Sequence, residues 1–144
     1  MKHIVKLGLF LTILLLVGCV KNPMKTEYYV GETARIDDLK VELVSANDTD
    51  AVSDKMVLEI VFKITNKRDN TLTINPDTYF RLYDLNQVQV PNSFQNNNNV
   101  IKKNQTIAYT LHYEVNNREL YEILFYSGIV ENNIKFVIKG TDIN

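Results

Sequence analysis

Few side chains in this chain of 144 residues are suited to chemistry: one thiol at Cys19, two histidines at His3 and His112, and a scatter of carboxylates. A lone thiolate is a good nucleophile, but it makes neither a disulfide nor a thiolate metal site. His112 lies inside "TIAYTLHYEV" (106–115), where alternation places it with Thr106, Ala108, Thr110 and Glu114 on the more polar face. Past the first 18 residues no second histidine exists, and no cysteine beyond Cys19, to share a metal or a proton with it. The richest supply of oxygens is "NDTDAVSD" (47–54). Asp37-Asp38, the Asp48/Asp50/Asp54 group and Asp84 would have to gather for calcium, which takes six to eight oxygens. The spacing is not that of an EF-hand and the turn glycine is missing, so a solvated loop is expected there. No nucleophile elbow, phosphate loop or zinc-helix motif occurs. The expectation is a protein with no catalytic residue, no metal and no cofactor.

Cys19 stands at a telling place. Lys2 and Lys6 precede an apolar run from Leu7 to Val17 that only Gly8 and Thr12 interrupt, and Gly18 follows. The run is shorter than the roughly 20 apolar residues a spanning helix needs, and its plan is that of a secretory leader. Leu16-Val17-Gly18-Cys19 resembles the lipobox of bacterial lipoproteins. That resemblance implies diacylglyceryl transfer to the Cys19 sulfur and cleavage before Cys19, with Leu16, Val17 and Gly18 forming the cleavage signal. It also implies residence on the extracytoplasmic face of the cell membrane, with the membrane itself as a partner through the lipid. One acyl chain binds membranes only marginally, whereas two hold a protein in place. A second reading concerns the leader alone: "LTILLLVG", Leu11 to Gly18, resembles the apolar octapeptide pheromones cut from some Gram-positive lipoprotein leaders.

The remaining residues divide as a lipidated tether (19–27), one domain (28–140) and a short C-terminal tail (141–144). Without residues 1–18 the chain carries 14 basic against 17 acidic residues, a net −3, which lacks the basic excess of a nucleic-acid binder. A domain of this size buries roughly two-thirds of its unfolded surface and needs no disulfide. "LKVEL" (39–43), "MVLEIVFKIT" (56–65) and "TIAYTLHYEV" (106–115) alternate with period two, the mark of half-buried strands. Shorter candidates are Thr33–Ile36, Thr71–Ile74, Tyr79–Tyr83, Gln87–Val90, Tyr121–Tyr126 and Ile134–Lys139. Between them lie Asn- and Asp-rich clusters, at 46–50, 66–70, 75–77, 96–99, 102–104 and 131–133, whose side chains favour turns. Only "NNREL" (116–120) hints at a helical turn. The fold class is all-β, an antiparallel sandwich of eight or nine short strands.

The segments "YYVGETARIDDLKVELVSA" (28–46), "MVLEIVFKITNKRDNTLTINPDTYFRLYDLNQ" (56–87) and "KKNQTIAYTLHYEV" (102–115) resemble the DUF4352-type domains of bacterial surface lipoproteins. That resemblance implies an immunoglobulin-like sandwich related to the secreted immunoprotective antigens of actinobacteria, and no catalytic residue. Asn66 is expected to cap a turn and Gly31 to permit a tight entry. Asn86-Gln87 and Lys103-Asn104 stand where such domains carry turn glycines. Eight tyrosines and no tryptophan remain as recognition material. Tyr109 and Tyr113, flanked by apolar residues of their own face, read as core; Tyr28 and Tyr29 beside the tether are the candidate binding surface. The functional expectation is a membrane-anchored, non-enzymatic binding module with a protein partner at the cell surface, its small-molecule ligand unspecified. The alternatives are the leader pheromone and a calcium-assisted adhesion domain. Usage rich in Asn, Lys and Ile suits a low-GC Gram-positive source.

Overall fold

The alternating segments become strands with the predicted faces turned inward. The computed structural model describes residues 25–49, 55–92, 94, 97–128 and 132–144. The leader with Leu16, Val17, Gly18 and Cys19, the octapeptide Leu11–Gly18, and Asp50 and Asp54 all lie outside the described residues.

Eleven strands form among these residues: β1 (Glu27–Tyr29), β2 (Thr33–Ile36), β3 (Leu39–Thr49), β4 (Met56–Asn66), β5 (Leu72–Ile74), β6 (Phe80–Tyr83), β7 (Gln89–Val90), β8 (Asn99–Ile101), β9 (Thr106–Val115), β10 (Tyr121–Tyr126) and β11 (Asn133–Ile138). One sheet runs β1-β11-β10-β6-β7 and the other β2-β3-β4-β9, while β5 and β8 make a separate two-stranded ladder. All pairings are antiparallel except β1 with β11. The protein is a β-sandwich. The count exceeds the expected eight or nine because β1 and β8, three residues each, are too short to show a period.

The core follows from the alternation. Leu58, Ile60, Phe62 and Ile64 of β4 are fully buried, as are Leu39, Val41 and Leu43 of β3. Rings from both sheets meet between them. Phe62 of β4 packs on Phe80 and Phe136 at 5.2 and 5.3 Å, and Tyr109 of β9 stacks on Phe80 at 5.6 Å. Truncating such a ring typically costs about 3–5 kcal/mol.

Three expectations change. Residues 46–49 are strand, not turn. A bulge between Leu43 and Ser45 lets β3 stay paired with β4, and the chain end pairs with β3's other side through Asp48 N–H to Asn144 O and Asn144 N–H to Ala46 O. For the same reason residues 141–144 are no free tail: Gly140–Asp142 forms a 3-10 turn and Ile143 is buried in the core. Finally, 116–120 forms bends rather than a helical turn. It carries the chain from one sheet to the other, and contacts to distant residues set its path: Arg118 reaches Asp48 and the Ile143 carbonyl, while Tyr121 Oη closes the segment locally on Asn117 O. The one α-helical turn among the described residues, α1 (Pro76–Tyr79), falls in the "NPD" cluster, where the Asn75 side chain accepts from the N–H groups of Asp77 and Thr78.

Candidate functional site: the tether end and the tyrosine face

Chain entry fixes the layout. β1 starts opposite Lys135, near the beginning of β11. That end of the sandwich also holds the β2–β3 turn (Asp37-Asp38), the β4–β5 loop, the β8–β9 turn and the β10–β11 loop. These are tied together by Lys67 N–H to Asp38 O, Arg68 Nε to Asp37 O, Arg68 Nη2 to Ser127 O, and Asn132 Nδ2 to Asp37 Oδ2. The described chain therefore enters the sandwich at this end, and Cys19 precedes its first residue, Lys25, by six positions in the sequence.

Asn66 is the pin of this end. It is fully buried; its Nδ2 donates to Asn70 O and Ile101 O at 2.8 and 3.0 Å, and its Oδ1 accepts from Arg68 N–H at 3.0 Å. Its backbone also bonds to Gln105 O and Asn104 N–H. The expected turn cap is thus a node joining the β4–β5 loop, the end of β8 and the β8–β9 turn.

Tyr28 and Tyr29 separate. Tyr28 faces inward, its ring 5.7 Å from Phe136 and covered outside by Lys25. It belongs to the packing, not to a contact surface. Tyr29 faces outward with Lys139 over its ring at 5.0 Å. Register extends its face across the five-stranded sheet. Val137, Glu122, Tyr83 and Gln89 continue the row of Tyr29; Glu27, Lys135, Leu124 and Arg81 form the next row; Tyr126 follows beyond. Arg81 covers Tyr126 at 4.8 Å. Lys135 binds Glu27 and Glu122 at 2.6 and 3.2 Å. The Lys135 hydrogen bond holds the Glu27 carboxyl below its usual range, and that same bond raises the lysine. Tyrosine and arginine beside Val137 and Leu124, with Lys135 already paired to Glu27 and Glu122, give this face the residue types that contact surfaces favour.

Sequence reading missed Tyr83 and Tyr126. "YEILFY" (121–126) is apolar at both parities, so alternation does not say that Tyr126 faces out, and Tyr83 ends a four-residue strand, "FRLY", in which it shares the outward parity of Arg81. Tyr109 and Tyr113 are core, as expected, at 1 and 3 % exposure.

The other candidates do not converge. His112 lies on the outer face of the four-stranded sheet, its Nε2 3.2 Å from Glu59 Oε2 and its ring 6.0 Å from Phe94. Asp48 engages Arg118, Asp84 accepts from Asn86 and Val88 N–H within its own turn, and Asp37-Asp38 sits at the opposite end. Among the described residues no three His, Cys, Asp or Glu side chains stand together as a metal site. The hollows are open and shallow: about 260 Å³ beside the β2–β3 turn, about 400 Å³ between Lys25, Tyr28, Arg35 and Asn132, and about 230 Å³ at the far end between Lys55, Asp84 and Glu119.

No protein-family model matches the chain, the DUF4352 type included, and no curated protein matches it. Solved structures do. The chain superposes on a Bacillus subtilis protein described as a "putative lipoprotein (ycdA)" with a TM-score of 0.62 at 16% identity, covering 76% of this chain and 39% of that one. The yjhA protein of the same organism gives 0.54 at 15%, covering 78% and 98%. The secreted protein MPT63 of Mycobacterium tuberculosis gives 0.57 at 9%, covering 82% and 99%. At these identities the likeness concerns the fold: the sandwich is one that other bacterial proteins, a secreted one among them, also use. The chain spans about two-fifths of the ycdA structure's length. No helix among the described residues is long and apolar enough to cross a membrane.

Proposed function

We propose that the protein is a lipoprotein held at the extracytoplasmic face of the cell membrane by diacylglyceryl-Cys19, and that its sandwich is a non-enzymatic binding module. The observation that carries the reading is the placement of the single thiol: Leu16-Val17-Gly18-Cys19 closes an apolar leader only six residues before the first described residue of the sandwich. The match to a structure described as a "putative lipoprotein" supports it at the level of fold. The contact surface assigned to the module is the outer face carrying Tyr29, Tyr83, Tyr126, Leu124 and Arg81, which takes a protein partner at the cell surface. Tyr28 leaves the assignment because it packs on Phe136.

The test is metabolic labelling with palmitate of cells expressing the full chain and Cys19→Ser. Label is expected in the former alone, with the mature amino terminus at Cys19. Label retained in Cys19→Ser, or a purified chain that keeps residues 1–18 without acyl mass, defeats the anchor reading.

A further inference from the structure

Arg35 and Lys40 stand directly opposite one another across the β2–β3 hairpin. Like charges so placed repel and destabilise the pair. Lys67 joins them from the β4–β5 loop, its backbone bonded to Asp38 O at 2.8 Å. The three cations line the hollow of about 260 Å³ together with Ile36, Asp37, Asp38 and Leu39. Neither acid neutralises them at short range: Asp37 Oδ2 accepts from Asn132, and among the described residues no ion pair forms to Arg35, Lys40 or Lys67. Lys67 Nζ reaches only Asn104 Oδ1, at 3.4 Å. All three are exposed, so nothing in the fold accounts for gathering them.

Their place on the molecule does. Arg35 also lines the larger hollow beside Lys25, Tyr28 and Asn132. Six residues from Cys19 to Lys25 extend at most roughly 20 Å, so this end of the sandwich stays within reach of whatever holds the lipid. Among the described residues the far end is of opposite sign: Asp48, Asp84, Glu114, Glu119 and Asp142, at or beyond the ends of β3, β6, β9 and β11, outnumber Lys55, Arg118 and Lys139. We infer that Arg35, Lys40 and Lys67 engage the phosphates of anionic phospholipids, so that the anchored sandwich stands with its tether end on the bilayer and its acidic end outward. The inference rests on the anchor reading for its setting, and it names the orientation that reading leaves open. The tyrosine face of the five-stranded sheet then stands at the side of the molecule, free of the membrane.

The experiment separates the two. Residues 19–144, which keep every described residue and the whole core, are coupled through Cys19 to a maleimide lipid. Coupling is done in phosphatidylcholine vesicles with or without phosphatidylglycerol, so that the synthetic anchor does not depend on cellular acylation. Lysine acetylation is then mapped by mass spectrometry. Phosphatidylglycerol is expected to slow labelling of Lys40 and Lys67 roughly fivefold or more, the effect of one cation at an anionic surface. Lys55 and Lys139 should be unchanged, and high salt should reverse the protection. In Arg35→Glu with Lys40→Glu, protection of Lys67 is lost; if that variant fails to fold, the wild-type map alone decides. Equal labelling on the two vesicles overturns the proposal. So does equal protection by millimolar inorganic phosphate over neutral vesicles, which would identify a soluble anion as the ligand. Absence of acyl mass on the cellular protein would sink the anchor reading and leave this map standing as a separate result.

Discussion

Asn66 shows why a single polar residue holds more of this fold than its size implies. One amide uses both its donor protons and its oxygen on backbone groups of the β4–β5 loop and of β8, with no contact to water. Removing it strands two carbonyls and one N–H, and a buried group left without a partner costs about 1–3 kcal/mol. We therefore expect Asn66→Ala to lose about 2–4 kcal/mol in urea unfolding, and Asn66→Asp to lose more, because a carboxylate there faces the Asn70 and Ile101 carbonyl oxygens. An aspartate variant as stable as wild type would contradict this account. The chain itself shows a strand ending in Thr65-Asn66, which reads as a turn cap. It does not show that Ile101, thirty-five residues on, is the second acceptor, because hydrogen bonding between distant loops leaves no local pattern. Tyr29 is the converse case: its exposure follows from the β1–β11 pairing, which three residues are too few to announce.

At the scale of elements, several turns place residues other than glycine where φ is positive. The β2–β3 connection is a two-residue hairpin turn in which Asp37 and Asp38 both have positive φ, 45° and 60°, the geometry that favours Asn-Gly. Gln87 and Asn104 hold φ of 61° and 62° where a glycine would sit without strain. A left-handed non-glycine residue costs roughly 1–2 kcal/mol, offset by glycine's larger entropy in the unfolded chain. Asp38→Gly is accordingly expected to stabilise by about 0.5–1 kcal/mol, read as a higher urea midpoint with unchanged slope. A lowered midpoint would mean that the Asp38 side chain makes a stabilising contact that outweighs the backbone strain. Long alternating strands were readable for a plain reason: β4 and β9 have one buried and one wet face, so burial writes a period of two into them. The 116–120 segment misled because its local preference is overridden by contacts with Asp48 and the chain end.

For the molecule as a whole, the sandwich joins its sheets with rings, and three phenols have been taken out of water to do so. Burial raises Tyr109 to about 12, with the Asp77 charge adding to it, and raises Tyr121 to about 12, with Glu119 adding. Burial drives Tyr113 upward as well, with Asp77 and Tyr109 adding. Tyr109 and Tyr121 also donate to the carbonyls of Asn97 and Asn117, at 2.8 and 2.7 Å, bonds that need the phenolic proton. The sign follows from proton counting. In the unfolded chain these phenols ionise near 10, while the native state keeps its protons to about 12 or beyond, so stability is complete below 10 and falls as the pH rises through that window. Each such phenol contributes a slope of up to about 1.4 kcal/mol per pH unit. Phenolate absorbance from the three should therefore appear with the cooperative unfolding transition rather than before it. Tyr109→Phe isolates one of them. It gives up the bond to Asn97, and its neutral-pH stability should fall by about 1 kcal/mol. With no proton left to lose at that position, its stability should decline less steeply above 10 and approach the wild-type value. Parallel curves for the two proteins up to 12 would show that the Tyr109 phenol titrates freely in the native state, and that the ring stack on Phe80 is wetter than its packing implies.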